Sequence, residues 1–146
     1  SIARSINAAS KTFSGVEIMS FYIAKTIEGP FDTAIDKVTA ALKEEGFGVL
    51  TDIDVRATLK AKLGADWRAY RILGACNPPL AHRALQAEDK IGTMLPCNVI
   101  VQDLGNGQVE VAAIDPAASM ERIGKQELTE LARSVREKLQ EVLNRV

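Results

Sequence analysis

Tyr70-Arg71-Ile72-Leu73-Gly74-Ala75-Cys76-Asn77-Pro78-Pro79-Leu80-Ala81-His82-Arg83-Ala84-Leu85 changes hydrophobic period partway along, with no loop between the two halves. Up to Cys76 the pattern alternates. It predicts a strand from Trp67 to about Ala75, with Tyr70, Ile72 and Gly74 on one face and Trp67, Arg71 and Leu73 on the other. Both faces are partly apolar, so the strand is expected to be central. From Asn77 the pattern is helical. Asn is a favoured N-cap, and proline fills the first turn without losing a needed hydrogen bond. The tract therefore predicts a strand that hands over directly to a helix ending near Ala87.

Upstream, Ser20 to Ile27 is β-branched and aromatic and reads as a first strand. Gly29-Pro30 breaks the chain, and Phe31, Ile35, Val38 and Leu42 then recur at helical spacing as far as Gly46. Asp32 in the first turn complements the helix dipole. Phe47 to Ile53 reads as a second strand. Asp54 caps a short helix with Val55, Leu59 and Leu63 on one face, closed by Gly64.

Downstream, Cys97 to Gln102 and Gln108 to Ile114 are strands joined through Asn106-Gly107, a hairpin signal. Asp115-Pro116 ends the sheet. Leu128, Leu131, Val135, Leu139, Val142 and Val146 then mark a long amphipathic helix, expected to pack on the sheet or, as an alternative, to pair with a second copy. The order is β-α-β-α-β-α-β-β-α. It predicts an α+β fold of two layers: a mainly antiparallel sheet of about five strands with helices packed on one face.

Residues 1–17 read as a weakly attached N-terminal extension, and 18–146 as a single domain. Ser1 to Val16 has no acidic residue, is rich in Ser and Ala, and lacks the apolar run of a secretion signal. Met19, where patterned sequence begins, is a candidate start.

Composition removes several function classes. A net charge of −1 gives no basic surplus for nucleic acid, and 5% aromatic residues give no stacking stripe. No apolar run is long enough to span a bilayer, so no membrane partner is expected. No glycine-rich phosphate loop follows a strand. Two cysteines are too few for a disulfide framework, and reduced thiols in a cytoplasmic protein are expected. Charge is nevertheless lopsided. Glu28 to Asp54 carries seven acids and two lysines, whereas Arg56 to Arg83 carries six basic side chains and one acid.

Gly74-Ala75-Cys76-Asn77-Pro78-Pro79-Leu80-Ala81 and Leu95-Pro96-Cys97-Asn98-Val99 are specific blocks. Together with Gly46-Phe47-Gly48-Val49 and Asp115-Pro116, they resemble the signature of the family called domain of unknown function 302, from about Met19 to the C-terminus. The resemblance implies a two-layer α+β fold and self-association. It implies no activity, and Ser1 to Glu17 lie outside it.

The candidate ligand-binding residues are Arg71, Cys76, Asn77, His82, Cys97 and Asn98. Cys76 precedes a helix start, where backbone N–H groups and the dipole favour a thiolate and would also attract an anion. Arg71, between apolar neighbours, is the anion-contact candidate and would need a partner if buried. Cys76 has competing roles: small core residue, reactive thiol, metal ligand with His82 and Cys97, or cavity lining.

His82, the only histidine, points off the apolar face of its helix. Cys97 shares a face with Val99 and Val101, so burial is its default. Whether the cysteines meet depends on topology: adjacent antiparallel strands bring them together, and parallel strands hold them apart. Asp52 and Asp54 read as capping rather than acid–base residues.

The expectation is a non-enzymatic binding domain for a small anionic or amphipathic ligand that self-associates as a homodimer, with no cofactor and no resident metal. The alternatives are thiol redox or metal chemistry at Cys76, and a structural or oligomerisation module.

Overall fold

The computed structural model describes residues 11–13, 15–19 and 21–146. The Ser- and Ala-rich start of the chain, residues 1–10, lies outside them, as does Ser20. The elements are β1 (Lys11–Phe13), β2 (Val16–Ile18), β3 (Tyr22–Glu28), α1 (Phe31–Glu44), β4 (Gly48–Asp54), α2 (Val55–Leu63), β5 (Tyr70–Cys76) and α3 (Pro78–Ala87). A 3-10 turn (Asp89–Met94), β6 (Cys97–Gly105), β7 (Gln108–Ile114), α4 (Pro116–Met120), a second 3-10 turn (Glu121–Ile123) and α5 (Gln126–Arg145) complete the chain.

The fold is α+β, and its sheet has seven strands in the order β1-β2-β3-β7-β6-β5-β4, with every pairing antiparallel. The five strands expected from the sequence are all present. The two additional ones, β1 and β2, lie in the stretch the sequence reading placed in a loose extension (residues 1–17), apart from Ile18, which it gave to the domain. β2 pairs with β3, and Val16 is fully buried. Short strands of three residues leave no periodicity to read.

β5 starts at Tyr70 rather than Trp67. Trp67 is 44% exposed and stacks under the Arg68 guanidinium, 4.3 Å from its ring centre. β5 is central, between β4 and β6, as its two partly apolar faces require.

Alternation sends Leu73, Ala75, Cys97, Val99, Val101, Val109, Val111 and Ala113 to the face that carries α1 and α5. There they meet Val38 and Leu42 of α1 and Leu139, Val142 and Leu143 of α5. Leu42, Leu139 and Leu143 have no exposed surface, and each contributes roughly 1.5–3 kcal/mol of burial. The β6–β7 hairpin turns through Asn106 (φ 54°) and Gly107 (φ 74°), the left-handed pair that suits the twist of a two-residue turn.

α5 is long enough to serve two cores. Its C-terminal half belongs to the main one. Leu128, Leu131 and Ala132 of its first half form a second cluster with Ala84 of α3, Ile91 of the 3-10 turn and Met120 of α4. The candidate site lies between these clusters.

Candidate functional site

The strand-to-helix handover at Cys76 occurs as the sequence predicts, and its chemistry can be followed donor by donor. Asn77 is the N-cap of α3, and its side-chain oxygen accepts the Leu80 N–H at 3.3 Å. Pro78 and Pro79 have no N–H. The Ala81 N–H donates to the Asn77 carbonyl at 2.9 Å. The first turn therefore has no donor left for an anion. This corrects the expectation of an anion site at the helix pole, because the two prolines that favour the helix start also remove the groups that would bind the ion.

Beside that pole is an apolar cavity of about 330 Å³. Its walls come from β5 and β6 (Ala75, Cys76, Cys97), α3 (Leu80, Ala84), the Leu95-Pro96 segment, and α4 and α5 (Met120, Leu131). Many of the lining residues are small: Ala75, Ala81, Ala84, Gly92 and Ala132 leave unfilled the space that larger side chains would occupy. Val135, at the junction of the two halves of α5, closes one side. Leu50 (67% exposed) and Leu85 (42% exposed) stand at the mouth. Among the described residues, no His, Asp, Glu, Lys or Arg lines it.

The structure gathers three of the six candidate residues here, Cys76, Asn77 and Cys97, and places the other three elsewhere. Arg71 is engaged by Asp52: its Nε donates to Asp52 Oδ1 at 2.7 Å, and Nη2 to Oδ2 completes a two-pronged pair. The guanidinium holds the Asp52 carboxyl below the usual carboxylate range, chiefly through that hydrogen bond. Half-buried Arg71 thus has its anion inside the chain, on the neighbouring strand. Asp54 caps α2 by accepting the Ala57 N–H at 2.9 Å, as the sequence indicates.

His82 is exposed on α3 and does not line the cavity. Asn98 is exposed, opposite Gly74, on the sheet face away from Cys97. Sequence reasoning missed the α4 and α5 walls. Met120 of α4 is buried and lines the cavity.

The topology resolves the cysteine question. β5 and β6 are adjacent and antiparallel, Ala75 pairs with Cys97, and Cys76 follows one residue on. Both thiols are free and both line the cavity. No cluster of three His, Cys, Asp or Glu side chains able to hold a metal exists among the described residues, which corrects the Cys76–His82–Cys97 alternative. His82 stands on the outward side of α3 and cannot complete the set.

Burial, with a smaller effect from the neighbouring Cys76, pushes the Cys97 thiol up to about 11. At pH 8 that leaves a thiolate fraction of roughly 0.1%, so Cys97 is expected to resist maleimide while half-buried Cys76 is modified first. Mass spectrometry of a timed labelling series checks the order, and equal rates at the two sites would contradict the buried placement of Cys97.

The match described as "Domain of unknown function DUF302" covers residues 23–146. Among solved structures, the crystal structure of an uncharacterised conserved DUF302 protein from Bacillus stearothermophilus is similar, with a TM-score of 0.79 and 29% sequence identity. The similarity covers 86% of this chain and 97% of that one. No curated protein matches the chain. Among the described residues, no helix is long and apolar enough to cross a membrane.

Proposed function

The chain belongs to the DUF302 family, and for this member of it we propose a non-enzymatic role: reversible binding of a small amphipathic molecule whose apolar body fills the cavity between the two cores. The cavity itself carries the reading. It is a cleft open on one side, its lining almost wholly apolar, and small side chains keep it from being filled. About 330 Å³ is at the lower end of ordinary ligand pockets and roughly twice the cavity that accommodates benzene.

A hydrocarbon body of about ten heavy atoms, as a medium acyl chain or a fused bicyclic ring, fits that space. The wall chemistry selects for apolar surface. Asn77 is engaged in its cap, and the cysteine sulfurs are soft and polarisable. A polar head would remain at the mouth, beside Leu50 and Leu85, in contact with water. A thiol-based reaction is the weaker reading, because among the described residues no general base lines the cavity beside Cys76.

Calorimetric titration with decanoate and with 2-naphthoate tests the proposal. One saturable site per chain is expected, with a negative heat-capacity change from apolar burial. Ala84→Phe and, separately, Ala132→Leu place side-chain volume in the cavity. Each is expected to weaken binding about 30-fold or more, a loss of roughly 2 kcal/mol. Circular dichroism and thermal melting report whether each variant keeps its fold. Absence of saturable binding to the wild-type chain, or equal binding to folded Ala84→Phe and Ala132→Leu, would refute the proposal.

A further inference from the structure

The sheet face turned away from α1 and α5 holds a second hollow, separate from the cavity beside Cys76. Strand register builds it row by row. Tyr70 pairs with Gln102 and Gln102 with Glu110, so these three stand in one row across β5, β6 and β7. The next row on the same face is low: Ile100 pairs with Ala112, and Ala112 with Ala24. Two residues further along each strand come Asn98, Ile114 and Tyr22. The two taller rows are thus four residues apart, roughly 13 Å at strand rise. Between them lies a hollow of about 370 Å³, with Ile100 and Ala112 as its floor.

Its chemistry differs from that of the first cavity. Glu110 lines it and is 3% exposed, one of two buried charged side chains among the described residues. The other, Asp115, caps α4 and pairs with Arg136. Gln102 Nε2 donates to Glu110 Oε1 at 2.9 Å, and Gln102 Oε1 accepts from Arg68 Nη1 at 3.4 Å. Arg68 itself is exposed and stacks on Trp67 outside the hollow. Among the described residues, no Lys, Arg or His lines the hollow, so the charge at its wall is negative. Burial first, and the Glu110 carboxylate second, push the Tyr70 phenol above its usual range. The carboxylate therefore acts on the wall that it shares with Tyr70.

The two ends are aromatic. Tyr70 stands at one corner, with Phe21 and Tyr22 at the diagonal one. Phe21 and Tyr22 meet edge to face with ring centres 4.7 Å apart, and Phe21 is 60% exposed. Three rings gather here in a chain that is only 5% aromatic, and ring faces attract cations.

We infer that this hollow binds a small organic cation, an ammonium group carrying a short apolar or aromatic body. The body lies on Ile100 and Ala112, the ammonium meets the row of Glu110 and Gln102, and the rings close the ends. Asn98, which the sequence offered as a ligand contact, belongs to this face and presents its amide at the opposite rim. Glu110 opposes an anion. A bare metal ion is a poor occupant, since no cluster able to hold one exists among the described residues. The inference does not depend on the ligand proposed for the apolar cavity, which is on the other side of the sheet.

Titration of the full chain with benzyltrimethylammonium, followed by amide NMR shifts, tests it. One saturable site is expected, with a dissociation constant of about 1 mM or lower and the largest shifts near Ile100 and Ala112. Choline and neohexanol, its neutral carbon analogue, share a shape and differ in charge. Choline is expected to bind about tenfold more tightly or better. Glu110→Gln, which retains an acceptor for Gln102, is expected to weaken benzyltrimethylammonium binding about tenfold or more, and Tyr70→Leu about threefold. Ala112→Leu raises the floor and is expected to weaken it by about tenfold as well, which provides the readout should Glu110→Gln fail to fold. Ala84→Phe, in the other cavity, is expected to leave the affinity unchanged. The absence of saturable shifts up to about 30 mM would overturn the inference. So would equal affinities for choline and neohexanol, or wild-type affinity in folded Glu110→Gln or Ala112→Leu.

Discussion

Gly74→Val is expected to leave little soluble folded protein, and Gly74→Ala to lower the melting temperature by about 6 °C. Gly74 is buried at the centre of β5, and its backbone is in the ordinary extended region, so conformational freedom is not the reason for glycine here. Space is the reason. A methyl group at this position would lie 2.8 Å from the Pro96 ring and closer still to the Thr51 hydroxyl. Thr51 is exposed on the edge strand and its hydroxyl can rotate away. Pro96 is held between the 3-10 turn and β6, and its ring cannot.

Forcing a side chain into a filled site costs about 1–3 kcal/mol, and the reduced freedom of the unfolded alanine chain returns about 0.4–1 kcal/mol. A net loss of about 2 kcal/mol corresponds to about 4–8 °C in a chain of this length. Valine adds two further methyl groups in the same direction. Differential scanning calorimetry checks both variants. Thr51→Ala in the Gly74→Ala background should recover part of the loss and no more, because Pro96 remains. A Gly74→Ala melting temperature equal to wild type would mean that the Pro96 segment yields, and the close packing of β5 against it would have to be abandoned.

The same glycine shows what a sequence can and cannot disclose. The alternation around it, the Asn-Pro-Pro helix start, the Asn106-Gly107 turn and the long stripe of α5 are local signals, and each became the element it announces. Arg71 announced only a need. Its partner, Asp52, is nineteen residues away, and nothing in composition pairs them until β4 and β5 lie side by side. The cavity is further from sequence still. It depends on α5 dividing its apolar stripe between two clusters and on alanines from separate elements meeting at the gap.

Two consecutive prolines at the start of α3 delete two of the N–H groups on which an anion site at that pole depends. The residues of β1 and β2 carried too little pattern to be read. Their placement depends on β3, whose edge they extend.

Arg136→Met is expected to cost about 3 kcal/mol, more than most other single changes near the surface of this protein. Its partner Asp115 is 6% exposed and ties three segments together. The Asp115 N–H donates to the Phe21 carbonyl at 2.8 Å, Oδ1 accepts the Ala117 N–H at 3.0 Å to cap α4, and Oδ2 accepts Arg136 Nε at 3.0 Å. Removing Arg136 strands a carboxylate out of water, a change that costs about 3–5 kcal/mol when the group is fully enclosed. The cap that survives on Oδ1 places the expected value at the lower end.

Asp115→Asn presents a different balance. The cap can persist through the amide oxygen, and Arg136, whose side chain is 29% exposed, can turn to solvent, so about 1–2 kcal/mol is expected. The double variant should then be more stable than Arg136→Met alone, since no buried charge remains to be compensated. Chemical denaturation of the three variants measures the sequence of costs. The outcome bears on the cavity, because Pro116 and Met120 on one side of this pair and Val135 on the other all line it. If Arg136→Met cost less than about 1 kcal/mol, as an exposed pair would, Asp115 must reach water. The wall formed by α4 and α5 would then be too loose to keep an apolar space of fixed shape.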